Sequence, residues 1–141
     1  MEVEISKIDA AVDQLDWAIR LFLDHRAYVP AITLAGAAEE ILGKAVGAEA
    51  AFETLKKQFT LECSMPEMEV SHDHLNKARN WLKHWDRGTD AKTECMELNK
   101  EALQYITRAL ANLATHDRWQ QSEGPRFARW ISENGLWPDN S

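Results

Sequence analysis

The chain has 141 residues, with 16 Lys and Arg against 23 Asp and Glu for a net charge of −7, and its length suits one domain that buries roughly two thirds of its extended-chain surface. The acidic balance excludes broad electrostatic capture of nucleic acid, so any RNA contact has to use a local basic spot. The longest uncharged apolar stretch, Tyr28 to Ala38, falls far short of the roughly 20 residues that span a bilayer. No basic leader precedes an apolar run at the N-terminus, and Cys63 and Cys95 lack metal-ligand spacing, so a cytoplasmic chain with reduced thiols and no membrane contact is expected.

Ala, Leu, Glu and Lys abound while only four prolines and six glycines interrupt the chain, a composition that favours helices. The first predicted helix carries an apolar stripe of Ile5, Ile8, Val12, Leu15, Ile19 and Phe22, spaced three and four apart. It should end near Asp24 to Arg26, because Val29 precedes Pro30 and is pushed from helical geometry. Pro30 suits the first turn of a second helix running to about Gly47. This helix has two apolar stripes, one of Leu34, Ala38, Ile41 and Ala45, the other of Ile32, Ala35, Leu42 and Val46 with Glu39 inside it. Its third face, Thr33, Gly36, Glu40, Gly43 and Gly47, is small enough for another backbone to approach. A helix apolar on several sides belongs at the centre of a bundle, and a buried Glu39 there needs a partner.

A shorter helix is expected over Ala48 to Phe59 and an irregular connection over Thr60 to Val70. Ser71 is a suitable N-cap for a helix reaching His84 or Trp85, with Leu75, Ala78, Leu82 and Trp85 inward. After a turn at Asp86 to Gly88, Thr89 or Asp90 caps a last long helix. Its stripe is Cys95, Leu98, Ala102, Tyr105, Ala109 and Leu113, with Leu103, Ile106 and Leu110 beside it. A short helix around Phe127 to Ile131 completes the chain. The expected fold is all-α: an up-and-down bundle of four to five helices over residues 1–118, with residues 119–141 as a C-terminal helix and tail packed on or beside it.

Residues Arg79-Asn80-Trp81-Leu82-Lys83-His84 hold the most suggestive chemistry. Arginine is a fixed, planar cation for phosphate, the amide can orient a hydroxyl or a phosphate oxygen, and histidine exchanges a proton near neutral pH. On a continuous helix Asn80 and His84 share a face, while Arg79 and His84 lie about 140° and about 7.5 Å apart, a gap that a long arginine can span. The helix C-terminus favours a protonated imidazole, as a general acid requires. Lys77, Lys83 and Arg87 make this the local basic spot, and Arg126 with Arg129 make a second.

The segment Asp24 to Lys44, with its small residues followed by Glu39 and Leu42, and the segment Ala78 to His84 occur in an order that resembles the HEPN superfamily of small helical-bundle proteins. Many of its members are ribonucleases or toxin components. The resemblance covers about a quarter of the chain. It implies a metal-independent endoribonuclease, with Arg79 and His84 as the catalytic pair and Asn80 in support. Lys83, Arg87 and Trp81 are the candidate substrate contacts, Trp81 by stacking on a base. It also implies a homodimer in which two motifs face each other, and an antitoxin or nucleotidyltransferase partner. No cofactor or metal is called for. The same residues admit a non-catalytic reading: a protein- or nucleotide-binding bundle in which Arg79 pairs with Glu39 or Glu40 and His84 caps its helix.

Other motifs carry less. His72 and His74 are two apart and point in nearly opposite directions on a helix, so they do not share a metal. Glu69-Val70-Ser71-His72 is one Glu-x-x-His where a di-iron bundle needs two. Neither cysteine has a nearby base. Six tryptophans are many for this length, and most are expected to pack in the bundle or its dimer, with Trp137 a candidate docking residue in the tail.

Overall fold

The computed structural model describes residues 1–46, 76–84, 93–114 and 116–135, which form helices joined by turns with no strand among them. The architecture is an all-α bundle. The expected helix at 48–59, the connection after it, the Ser71, Thr89 and Asp90 caps, His72, His74, Cys63, Trp85, Arg87 and Trp137 lie outside the described residues.

Helix α1 spans Lys7–His25, and Ser6 caps it by accepting a hydrogen bond from the Asp9 N–H at 3.0 Å. Ile5 therefore precedes the helix and is 61% exposed; its place in the stripe was an accident of spacing, because the cap stops the helical period one residue later. Of the rest of the stripe, Ile8 is partly buried, and Val12, Leu15, Ile19 and Phe22 are buried together with Ala11 and Ala18. The helix ends at Arg26, which takes the left-handed conformation at φ 51° and donates its N–H to the Leu21 carbonyl.

Helix α2 spans Tyr28–Val46, so Tyr28 and Val29 are helical, contrary to the restriction expected before Pro30. Pro30 is the third helical residue, where a missing N–H leaves no intrahelical bond unmade. The carbonyl four residues back belongs to Arg26, outside the helix. α2 is the central element, packing most extensively against α1 and the last long helix. Ala31, Ile32, Ala35, Ala38 and Leu42 are buried. The small alanines among them let the neighbouring helices approach closely, while Leu34 and Ile41 of the first stripe are partly buried and Ala45 is exposed.

Helix α3, Lys77–Lys83, has Asn76 as its N-cap residue, and it rests on α2. Helix α4, Leu98–Leu113, starts later than its sequence stripe suggests, and Cys95 is exposed in the non-helical segment before it. An ion pair of 2.9 Å between Lys77 and Glu94 ties that segment to the start of α3. Within α4 the stripe Ala102, Tyr105, Ala109 and Leu113 is buried as expected, with Ile106 and Leu110.

A 3-10 turn, Trp119–Gln121, leads into α5, Gly124–Glu133, with Pro125 in its first turn, where its missing N–H is harmless. Gly124 is required there, since a Cβ would stand 2.5 Å from the Trp119 ring. α5 lays Phe127 and Trp130 against Phe22 of α1 at centroid distances of 5.6 and 5.2 Å, and Tyr28 meets Phe22 at 5.3 Å. Polar contacts fasten the same segment to α1: Arg126 to Asp24, Arg118 to Asp9, and Asp16 accepting the Glu123 N–H at 2.8 Å. Burial raises the Asp16 carboxyl above its ordinary value despite that hydrogen bond, whereas Arg126 holds the Asp24 carboxyl below its own. Among the described residues no helix is long and apolar enough to cross a membrane.

Candidate functional site

The buried carboxylate of Glu39, on the apolar stripe of α2, organises the polar interior. Arg108 of α4 contacts Glu39 Oε1 at 3.2 Å, and Arg79 of α3 contacts Oε2 at 3.5 Å. Arg108 is 4% exposed, the Arg79 side chain 16%. Arg108 also donates to Asn76 Oδ1 at 3.0 Å, and its guanidinium lies 5.1 Å from the centre of the Tyr105 ring. Burial lowers the Arg108 pKa from its usual value while Glu39 pulls the other way.

Tyr105 joins the same network. Its hydroxyl accepts the Arg79 backbone N–H at 3.2 Å, one of the first-turn donors of α3 that no residue of its own helix can satisfy. Asn76 offers α3 no side-chain cap bond, so α4 supplies the acceptor. Gly36 of α2 makes room for this arrangement: a Cβ there would stand 2.5 Å from Arg79 Cδ and 2.8 Å from Cγ. One turn pair further along α2, Gly43 faces Asn112 Nδ2. The small face of α2 thus receives polar side chains, and not the neighbouring backbone the sequence suggested.

The five candidate residues that are described separate into two groups. Arg79 points inward to Glu39, with Glu40 Oε2 at 4.0 Å. Asn80, Lys83 and His84 are exposed and Trp81 is partly exposed, while Arg87 lies outside the described residues. His84 is the C-cap residue of α3; its backbone is extended at φ −120°, ψ 153°, and its N–H bonds the Asn80 carbonyl at 3.1 Å. The helical offset expected between Arg79 and His84 therefore does not apply, because the helix stops before the imidazole. Both contacts of the non-catalytic reading, Arg79 with Glu39 and Glu40 and His84 at the cap, are present.

Arg108, Tyr105 and Asn112 were not singled out as polar partners from the sequence. A signal existed: Arg108 and Asn112 are four apart on the buried side of α4, as Glu39 is on α2, so two central helices carry polar residues among their apolar stripes. The Asn112 Oδ1 is buried with no hydrogen-bond partner among the described residues. No group of His, Cys, Asp or Glu among the described residues is arranged to hold a metal ion. No family model, curated protein or solved structure matches the chain.

Proposed function

We propose that this chain is a metal-independent endoribonuclease of HEPN type that acts as a homodimer. One observation carries the reading: Glu39 is shared by two arginines, and Glu40 by Arg79 and Lys44, so three cations face two carboxylates in these pairs. Arg79, the more exposed of the two arginines, has only long contacts to its carboxylates. A phosphate arriving from solvent would compete for it on favourable terms, since charge-assisted arginine pairs strengthen as they shorten. Asn80, Lys83 and His84 stand exposed on the adjoining turn.

In this mechanism a ribose 2′-oxygen attacks its adjacent phosphorus and the bond to the 5′-oxygen breaks. His84 moves the proton and Arg79 offsets the charge gathering on the equatorial oxygens. Asn80 orients the attacking hydroxyl, while Lys83, Arg87 and Trp81 hold flanking nucleotides. The product is a 2′,3′-cyclic phosphate, and a 2′-deoxy strand is inert. Such a nuclease fits the toxin or effector half of a two-component system, restrained by an antitoxin or nucleotidyltransferase.

The second reading, a non-catalytic bundle that binds a protein or nucleotide, is favoured by the direct pairing of Arg79 with buried Glu39. Labelled RNA incubated with the purified chain in EDTA separates the two. Because His84 is exposed, His84→Ala keeps the fold, and under the nuclease reading it abolishes cleavage. Intact RNA with the wild-type dimer, freed of any inhibitory partner, would leave the binding reading.

A further inference from the structure

Among the described residues five large apolar side chains stand exposed: Met1, Val3, Ile5, Trp17 and Val29. Exposed apolar residues scattered singly are ordinary, but these five are ordered about one point. Trp17, 49% exposed, lies near the middle of α1, ten residues from Lys7 and eight from His25. Ile5 precedes it by twelve positions and Val29 follows it by twelve. Met1 and Val3 continue from Ile5 at every second position, so along an extended arm they share one side. Ser6, Ala10, Asp13, Trp17 and Asp24 follow one another at spacings of four, three, four and seven, so the arm leaves α1 on the Trp17 side.

A two-fold contact uses the same patch on both copies, so that residue i meets residue j and j meets i. Two α1 helices laid antiparallel with Trp17 on the axis bring Ile5 of each copy to the level of Val29 of the other, because the two positions balance about Trp17. The arm cannot cover Val29 of its own chain, which lies beyond the far end of a helix about 28 Å long. Trp17 would be the anchor of such a contact, and the Arg20 guanidinium lies 4.9 Å from the centre of its ring. Tryptophan and arginine are the side chains that most often dominate protein contacts.

The charges agree with the same register. Asp13 and Arg20 flank Trp17 by four and three positions, so each faces the other across the axis. Asp13 makes no ion pair with the described residues. Arg26 makes none either, and the antiparallel arrangement brings it within reach of Glu4. A parallel arrangement would set Asp13 against Asp13 and leave Val29 uncovered.

We propose that this face of α1 is an interface between two copies of the chain, antiparallel about Trp17, with each N-terminal arm lying over the start of the other's α2. It is separate from the facing of two Arg79–His84 segments in the proposed nuclease, which uses α3. It stands whether or not that segment cleaves RNA.

Sedimentation velocity of the full chain and of two variants tests it. Trp17→Glu puts two carboxylates on the axis. Ile5→Glu changes the arm outside every helix, and thermal unfolding by circular dichroism checks that both variants stay folded. Each should halve the mass of the wild-type assembly. A nitroxide on Lys7→Cys, in a chain with Cys63→Ser and Cys95→Ser, reports the direction by electron spin resonance. Antiparallel helices hold the two labels about 30 Å apart along the axis, whereas parallel ones hold them about 8–10 Å apart. The long distance should vanish in Trp17→Glu. The proposal is overturned if the wild type is a monomer or if either variant keeps the wild-type mass. It is also overturned if the long distance is missing from wild type or persists in Trp17→Glu. Intact RNA beside a halved mass would count against the nuclease reading alone.

Discussion

Replacing Glu39 by glutamine tests the polar interior most directly. The substitution keeps the shape and one acceptor oxygen but removes the charge that faces Arg108 at 3.2 Å and Arg79 at 3.5 Å. Arg108 cannot turn to water, being 4% exposed, and breaking a buried pair from one side costs about 3–5 kcal/mol. Asn76 still accepts from Arg108, and the glutamine oxygen retains a hydrogen bond, so the lower end, about 3 kcal/mol, is expected. For 141 residues the unfolding entropy is on the order of 0.3 kcal/mol per kelvin, which converts that loss to about 10 °C in Tm. Circular dichroism during thermal and urea unfolding measures it. Glu40→Gln is the internal control: Glu40 is half-exposed and 4.0 Å from Arg79, so its loss should stay within about 0.5 kcal/mol. Equal, small effects for the two variants would refute the claim that Glu39 is the buried anchor of both arginines.

Leu42→Asp places a charge at a fully buried position of α2 and should cost more than about 4 kcal/mol, seen as loss of the cooperative urea transition. Arg26→Gly should raise stability by about 0.5–1 kcal/mol in the same assay, since it frees the residue at φ 51° from its steric penalty. Burial raises the Tyr105 phenol above its ordinary value of 10.0. The folded state therefore holds that proton where the unfolded chain has released it; the contribution is complete below pH 10.0 and lost as pH climbs through the folded value. Absorbance titration of the phenols alongside unfolding above pH 10.0 should show Tyr105→Phe losing less stability in alkali than wild type. At neutral pH the same variant should be weaker by about 1 kcal/mol, because the Arg79 N–H loses its acceptor.

Much of the scaffold was legible because it depends on local period. The stripe from Val12 to Phe22, the many-sided apolar character of α2 and the face from Ala102 to Leu113 can all be read three and four residues at a time. Boundaries were less secure. Ile5 and Cys95 continue the right spacing beyond the ends of their helices, and no periodicity records that Ser6 or the Lys77–Glu94 pair intervenes. Pro30 does lie in the first turn of the second helix, as its residue type suggests, but the restriction it places on Val29 does not keep Val29 out of that helix.

For the candidate site, the residue types around Arg79 and the need of Glu39 for a partner followed from the chain alone. A carboxylate on an apolar stripe must be neutralised wherever that stripe is buried. Which cation does so is a different kind of fact, because Arg108 lies 69 positions away from Glu39 and meets it only when α4 packs on α2. The same holds for the Tyr105 hydroxyl on α3 and for Arg79 filling the space left by Gly36. Helical period is set by interactions within a turn or two, so it is written in order along the chain. The pairing of charges and the walls of a cavity are set by distances in space, and only the packed bundle brings those groups together.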